Sequence, residues 1–230
     1  MSSAQIGLLL EGVWYTVAIS LGGAVLGLVA AFLAGFARLS ESKWLRALGF
    51  LYVELFRGAP VLVIAFFLIY VLPQLGWQFD TIWAGILAVG LNIGAYAAEV
   101  VRGAVRAVPV GQTEAAIALN LTKTQRTRRV IVPQALVAMI PPFSNNLIEL
   151  LKATAVVSIV SIPELTFSGQ LIRAATGQTA AVFGGLLIGY GFIAVVFTVI
   201  MRIVERRASA SIGRQPAGGA WLRRRTAVTS

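Results

Sequence analysis

The chain has 230 residues, of which 58% are hydrophobic and 12% are charged, and its formal net charge is +10. Soluble domains are about 25% charged, so this composition excludes an ordinary soluble protein. Cysteine and histidine are absent, which excludes disulfides and thiol chemistry, and we predict no metal site, no cofactor and no enzymatic activity.

Five apolar segments are long enough to cross a bilayer, whose hydrocarbon core requires about 20 helical residues. Helices are expected because they satisfy their own backbone hydrogen bonds in lipid. The sequence therefore predicts an all-α integral membrane protein with a single transmembrane domain over residues 1–207. Its spans are predicted at about 12–37, 50–72, 81–101, 134–160 and 180–202.

The first span carries small residues at helical spacing. Gly23, Gly27, Ala31 and Gly35 fall four residues apart and share one helix face. Such a ridge allows another membrane helix to approach closely. Because no Lys or Arg precedes this span and the apolar run is too long for a signal peptide, we do not expect it to be cleaved.

The basic residues predict the orientation of the chain. With the N-terminus outside, they concentrate in two cytoplasmic loops and the C-terminal tail, whereas the outer loops contain only Arg173. The positive-inside rule favours this arrangement. The basic charge is then explained by topology and by contact with anionic lipid, and we predict no nucleic-acid binding. The basic tail, residues 208–230, is rich in Gly, Ser, Ala and Arg and is expected to be disordered in the cytoplasm.

A short motif, Glu-x-x-Arg-Gly-Ala, occurs twice: at Glu54 and Arg57 in the second span, and at Glu99 and Arg102 at the end of the third. The spacing places each Glu and Arg on one helix face. Both motifs are expected near the cytoplasmic boundary, at about the same depth. The four charges could form an inner gate of exchangeable ion pairs, or they could anchor helix ends, with Arg extending to the lipid headgroups.

A polar, basic segment, residues 108–133, separates spans three and four. Gly111 precedes a run of strong helix formers, with Glu114 expected in the favourable first turn. This helix is predicted to stop at Asn120, because Asn tolerates the left-handed conformation better than other non-glycine residues. Thr122 to Gln125 then reads as a capping box that opens a second helix, which Pro133 is expected to end or kink.

The first helix of this segment carries a small apolar face, formed by Ala115, Ala116 and Leu119. The face is narrow enough to seat in the groove of a partner protein. An ordered cytoplasmic helix of this kind is therefore a candidate docking element. The alternative is an amphipathic loop that lies on the membrane surface.

The fourth span contains ionisable residues deep in its sequence. If its helix begins near residue 134, Glu149 lies about 22 Å along it. Lys152 follows three residues later, and Asn145 and Asn146 precede it. Ionisable groups at such depth usually face a water-filled cavity or each other. Glu149 and Lys152 could therefore satisfy one another, or they could line the path of a zwitterionic solute, with Lys152 meeting a carboxylate and Glu149 a delocalised cation.

The stretch "GQTEAAIALN…VIVPQA" resembles the EAA coupling motif of permease subunits of ABC importers. The spacing of the motif is kept throughout, although Asn120 stands where the family has Gly. Asn can adopt the same backbone conformation, so we expect the turn to be retained. The resemblance implies that an ATPase subunit contacts Gly111, Glu114, Ala115, Ala116, Leu119 and Asn120.

Further stretches resemble the polar amino acid uptake permeases: "ELFRGAPVLV", "AYAAEVVRGAVRAVPVGQ", "PPFSNNLIELLKATAVVS" and "ELT". Within that branch the chain is most similar to the ectoine and hydroxyectoine permeases. Lys-Ala-Thr at 152–154 departs from the usual Lys-Asp/Glu-Thr/Ser, which favours a specialised substrate. The resemblance implies a type I importer fold in a bacterial cell membrane and import of a small zwitterionic solute.

The resemblance also implies partners. No Gly is followed by Lys, so the chain lacks a phosphate-binding GxxxxGK[ST] loop, and ATP is expected to bind to a separate ATPase subunit. Five helices are few to enclose a path, so a second permease subunit, identical or paralogous, is expected, as is an extracellular solute-binding protein. The alternative is a secondary transporter or channel that is not coupled to an ATPase. That alternative predicts inverted repeats in the sequence and an acidic residue in mid-membrane.

Overall fold

The computed structural model describes residues 3–211. These residues contain nine α-helices, with short π-helical and 3-10 turns and no β-strand among them. The helices are α1 (Ser3–Leu39), α2 (Lys43–Gly58), α3 (Val61–Phe66), α4 (Thr81–Arg106), α5 (Val110–Ala118), α6 (Lys123–Arg126), α7 (Val132–Val157), α8 (Leu165–Thr176) and α9 (Thr179–Ser211).

The helices provide five membrane crossings. Three single helices, α1, α4 and α9, are long and apolar enough to cross a membrane, and so is the helical stretch Lys123–Val160. The fifth is counted by taking α2 and the stretch Val61–Leu75, which pass the same test only together and meet at an angle of 100°, as one bent span. Each predicted span falls within one of these crossings, so the predicted all-α architecture with five spans is confirmed.

The bend in the second crossing depends on a proline and on a contact from another helix. Pro60 has no backbone N–H to donate to the carbonyl of Phe56, four residues earlier. The side-chain amide of Asn92 on α4 donates instead to the Phe56 carbonyl (2.8 Å) and to the Ala59 carbonyl (3.2 Å). The predicted span at 50–72 is therefore not one straight helix, because Asn92 stabilises a break that hydropathy does not reveal.

The core is organised around the contact between α1 and α4. A Cβ atom added to Gly27 would meet the carbonyl oxygen of Gly90 at 3.2 Å, and one added to Gly90 would meet the carbonyl oxygen of Gly23 at 3.1 Å. The two backbones are therefore in direct contact, which confirms the predicted small-residue ridge. Ile19 and Val89 are fully buried beside this contact.

The connection between spans four and five contains α8, which the sequence patterns did not predict. Gly12 of α1 leaves room for it, since a Cβ atom there would meet the Ser168 hydroxyl at 2.6 Å. The hydroxyl of Thr16, also on α1, accepts a hydrogen bond from the backbone N–H of Leu165 at 3.0 Å. The first helix therefore holds the N-terminal end of α8 against the bundle.

The last helix presents most of its surface outward. Leu187, Ile188 and Phe192 of α9 are all exposed, as expected for side chains that face lipid or another subunit. The helix continues to Ser211, so the first four residues of the predicted disordered tail are helical. The rest of that predicted tail, residues 212–230, lies outside the described residues.

Candidate coupling and translocation sites

The first helix of the polar segment, α5, begins at Val110, directly after Pro109. Glu114 therefore lies in its second turn, and the expectation that it lies in the first turn is wrong. The predicted stop is confirmed: Asn120 has a φ of 56°, in the left-handed region. The backbone N–H of Leu121 donates to the carbonyl of Ala116 at 3.0 Å, which closes the helix end.

The predicted apolar face of α5 is only partly available to a partner. Ala116 is 2% exposed and points into the chain, so it cannot belong to a docking face of this conformation. Ala115 and Leu119 are exposed, the latter at 74%, and so are Val110 and Ile117. The helix therefore offers exposed apolar side chains, but the grouping of Ala116 with Ala115 and Leu119 is wrong.

The same helix also exposes its predicted polar and small residues. Gly111, Glu114 and Asn120 are all exposed. No hydrogen bond or ion pair of the described chain uses the Glu114 carboxylate. A carboxylate in that situation can pair with a cation of a protein that docks on this surface.

The second helix of the segment begins as predicted. The backbone N–H of Thr122 donates to Oε1 of Gln125 (3.0 Å), and the N–H of Gln125 donates to the Thr122 hydroxyl (3.3 Å), which completes the capping box. Pro133 does not end the helix. Instead, α6 continues through a π-helical turn, Thr127–Ile131, into α7, and Pro133 lies in the first turn of α7.

Two polar contacts join the segment to the rest of the chain. The Lys123 ammonium forms an ion pair with the Glu41 carboxylate in the connection between α1 and α2, and this hydrogen bond lowers the pKa of Glu41. The Gln134 amide donates to the side-chain oxygen of Gln112 at 3.1 Å. The segment is therefore linked both to the connection between α1 and α2 and to the start of α7.

The two Glu-x-x-Arg-Gly-Ala motifs each pair within themselves. Arg57 lies 3.7 Å from Glu54, and Arg102 donates to one oxygen of Glu99 at 2.7 and 2.9 Å. Within the described residues, no ion pair joins one motif to the other. The second oxygen of Glu99 pairs with Arg38 of α1, a residue that the sequence analysis did not single out.

A sequence signal for Arg38 was available. The residue follows Gly35 by three positions, so it continues the small-residue face of α1 that packs against α4. A cation at the end of that ridge must meet the residues of α4 at the same depth. Extending the ridge by one turn would therefore have predicted the contact with Glu99.

Three of the four candidate solute-path residues share an exposed face of α7. Asn145, Glu149 and Lys152 are all exposed and lie at i, i+4 and i+7. Glu149 and Lys152 do not form an ion pair with each other or with another described residue. Both charges therefore point away from the bundle and are not satisfied by it.

Asn146 is placed differently from the other three. It is half-buried and lines a cavity of about 120 Å³ between α1, α4, α7 and α9. Its side-chain nitrogen is buried and has no hydrogen-bond partner. The structure therefore does not place Asn146 on the face formed by Asn145, Glu149 and Lys152.

A buried polar network near α8 was missed by the sequence analysis. Glu164 is fully buried, and its carboxylate accepts a hydrogen bond from the N–H of Phe167 (2.9 Å) and another from the Tyr190 hydroxyl. The Thr166 and Tyr190 hydroxyls are 2.8 Å apart. An acidic residue directly before a helix is a recognisable N-cap signal, and Glu164 in "ELT" was quoted only for its resemblance.

The apolar crossings, joined by the ordered polar helices α5 and α6, describe a multi-pass membrane protein. Residues 23–210 match the family described as the binding-protein-dependent transport system inner membrane component, and the chain belongs to this family. The members of this family to which it is similar are transport components and not enzymes.

Several known proteins resemble the chain over most of its length. It is 38% identical to the probable amino-acid ABC transporter permease protein y4tF of Sinorhizobium fredii, over 87% of each chain. It is 35% identical to the glutamine transport system permease protein GlnP of Escherichia coli, over 88% of this chain and 93% of the other. A crystal structure of an amino acid ABC transporter with histidines superposes with a TM-score of 0.82 at 28% identity, over 88% of this chain and 94% of that one. The predicted type I ABC importer permease fold is therefore confirmed.

Proposed function

We propose that the chain is the permease subunit of an ATP-driven importer that moves a small zwitterionic solute into a bacterial cell. The observation that carries this proposal is α5, an ordered helix with a left-handed stop at Asn120 and exposed apolar and acidic side chains. Such a helix is suited to a groove on an ATPase subunit. Membership in a family of binding-protein-dependent transport components supports the same function.

The contact with the ATPase is formed by the exposed residues of the segment. Ala116 is left out of the contact because it is buried and supports the helix from within. These residues belong to the segment 108–133, which is cytoplasmic. The N-terminus of the chain lies outside the cell and the C-terminus lies inside, as the distribution of Lys and Arg favours. The contact residues are Gly111, Glu114, Ala115, Leu119 and Asn120.

The path of the solute runs along the exposed face of α7. Glu149 and Lys152 have no partner in the described chain, and two unsatisfied charges within a membrane crossing are costly unless they face water, solute or another subunit. A second permease subunit, identical or paralogous, closes the path on this side. The exposed side-chain amide of Asn145 lies one turn before Glu149 on the same face of α7.

The solute carries a carboxylate and a cationic group. Lys152 is suited to the former and Glu149 to the latter, so the class includes ectoine, hydroxyectoine and polar amino acids. The relatives are named for glutamine and for amino acids in general, which supports the amino-acid-like class. Lys-Ala-Thr at 152–154 and the resemblance to ectoine permeases favour ectoine or hydroxyectoine within this class. An extracellular binding protein delivers the solute.

The inner gate is formed by Glu54, Arg57, Glu99 and Arg102, together with Arg38. Glu99 already bonds two arginines from different helices, so a movement of α1 relative to α4 would exchange its partners. Such a movement could open or close the gate without bringing a further charged side chain into the membrane.

Cross-linking tests this proposed function. A photoreactive residue at position 115 should capture the ATPase subunit in membranes that contain the assembled importer, whereas the same residue at position 176, at the other end of the bundle, should not. Capture from both positions, or from neither, would contradict the docking role of α5. The solute is then identified by measuring which zwitterion the companion binding protein captures.

A further inference from the structure

A basic cavity of about 470 Å³ opens where the end of α1, the first half of α2 and the end of α4 meet. It lies apart from α5 and from the exposed face of α7, and it shares Arg38 and Arg102 with the proposed inner gate. One aromatic side chain, Phe50, lines it, and the guanidinium of Arg38 lies 5.5 Å from the centre of that ring. The cations that line the cavity are Arg38, Lys43, Arg46, Arg102 and Arg106.

The charge of this cavity is only partly neutralised. Glu99 pairs with Arg38 and Arg102. The other three cations, Lys43, Arg46 and Arg106, are exposed and form no ion pair with an acidic residue of the described chain. Helices hold these like charges around one space, so an anion in the cavity would stabilise the arrangement.

The neighbouring surface of α2 indicates which anion fits. Trp44, Leu48, Leu51 and Leu55 lie at i, i+4, i+7 and i+11 and form an exposed apolar stripe, with Trp44 83% exposed. At 3.6 residues per turn, Lys43 lies beside this stripe and Arg46 lies on the far side of α2. A helix with Trp and Leu on one face and Lys and Arg on the rest of its surface is typical of the boundary between lipid headgroups and acyl chains.

We propose that this cavity is a binding site for an anionic phospholipid. The phosphate of the headgroup contacts Lys43, Arg46 and Arg106, and the acyl chains lie along the apolar stripe of α2. A free anion such as inorganic phosphate would account for the cations but not for the stripe beside them. In the proposed orientation the lipid belongs to the cytoplasmic leaflet, whose surface is the more negative one.

The test measures lipid binding to the importer purified with its ATPase. Dioleoylphosphatidylglycerol and dioleoylphosphatidylcholine are titrated separately, and bound lipid is counted by native mass spectrometry. We expect Lys43→Gln/Arg46→Gln/Arg106→Gln to weaken phosphatidylglycerol binding by about 100-fold, since each cation near an anionic surface contributes a factor of about five. Phosphatidylcholine should bind weakly to both proteins.

The matched control removes three exposed cations elsewhere on the same side of the membrane, in Arg202→Gln/Arg206→Gln/Arg207→Gln. The control should lose far less phosphatidylglycerol binding than the cavity variant, because its cations do not line this cavity, and a charge-retaining variant, Arg46→Lys/Arg106→Lys, should bind phosphatidylglycerol as the unmodified chain does. Equal losses in both neutralised variants, or no loss in the cavity variant, would overturn the proposal. Displacement of the lipid by millimolar inorganic phosphate would also overturn it, because the site would then be one for free anions. The readout does not involve import, so its failure would leave the proposed transport function unaffected.

Discussion

At the scale of single residues, Asn120 determines how α5 ends. Its φ of 56° is a conformation that Gly adopts freely and that a β-branched residue resists. We expect Asn120→Gly to retain normal coupling between ATP hydrolysis and import. Asn120→Val should lose coupling, because the left-handed conformation costs an ordinary residue about 1–2 kcal/mol. The amount of solute imported per ATP hydrolysed measures this coupling. Identical ratios for the two variants would show that coupling does not depend on the left-handed conformation at position 120.

The neighbouring alanines of α5 should behave differently when enlarged. Ala115 is exposed, so Ala115→Trp is expected to fold normally but to uncouple import from ATP hydrolysis or to release the ATPase. Ala116 is buried, so Ala116→Trp should overpack the segment and destabilise it by about 1–3 kcal/mol. Thermal unfolding of the purified complex separates the two effects. Equal unfolding midpoints for both variants would show that Ala116 is not a buried support.

The charges of α7 give a third prediction. Because Glu149 and Lys152 do not pair with each other, removing both in Lys152→Met/Glu149→Gln should leave assembly with the ATPase intact. Import should fall by at least about tenfold, which corresponds to the loss of about 1.4 kcal/mol. Uptake of competing zwitterions by reconstituted vesicles measures this. Normal import with unchanged selectivity would exclude the solute path from this face.

At the scale of secondary-structure elements, the break in the second crossing depends on Asn92. Its amide satisfies the carbonyls of Phe56 and Ala59. We expect Asn92→Leu to destabilise the chain by about 2 kcal/mol, because two carbonyls lose their partner within the bundle. Asn145→Leu is the matched control, since Asn145 is exposed and makes no hydrogen bond to the described chain. A thermal unfolding midpoint that falls equally in both variants would contradict this account of the bend.

The sequence predicted the elements whose signals are local. Hydropathy located all five crossings, and the stop at Asn120 and the capping box at Thr122 depend on residues a few positions apart. The bend at Pro60 was missed because its stabilising residue, Asn92, lies 36 positions from Phe56. The placement of α8 was missed for the same reason, since the bond from Leu165 to Thr16 spans 149 positions.

The candidate site was predicted to a similar extent. Helical spacing predicted that Glu149 and Lys152 share one face, but the exposure of that face, the outward direction of Asn145 and the inward direction of Asn146 depend on which neighbours pack against α7. Burial of Ala116 likewise depends on a tertiary contact of α5. The position of Arg38 at the end of the small-residue ridge indicates a contact with α4, but the partner, Glu99, is fixed by the register between two helices that are distant in sequence.

At the scale of the whole molecule, the orientation can be tested directly because the chain contains no cysteine. Gln78, Thr176 and Thr124 are all exposed. A single cysteine introduced at position 78 or 176 should react with a membrane-impermeant reagent added outside cells, and one at position 124 should not. Permeabilised cells provide the control, in which all three should react. The reverse pattern would place α5 outside the cell and remove it from any ATPase.

The central claim is that this permease moves its solute only when a partner subunit hydrolyses ATP. The most direct measurement is uptake of the solute captured by the binding protein into vesicles that contain the complete importer. We predict uptake with enclosed ATP, no uptake with a non-hydrolysable analogue, and no effect of collapsing ion gradients. Uptake that continues without ATP hydrolysis and disappears with the ion gradient would contradict the claim and identify a secondary transporter.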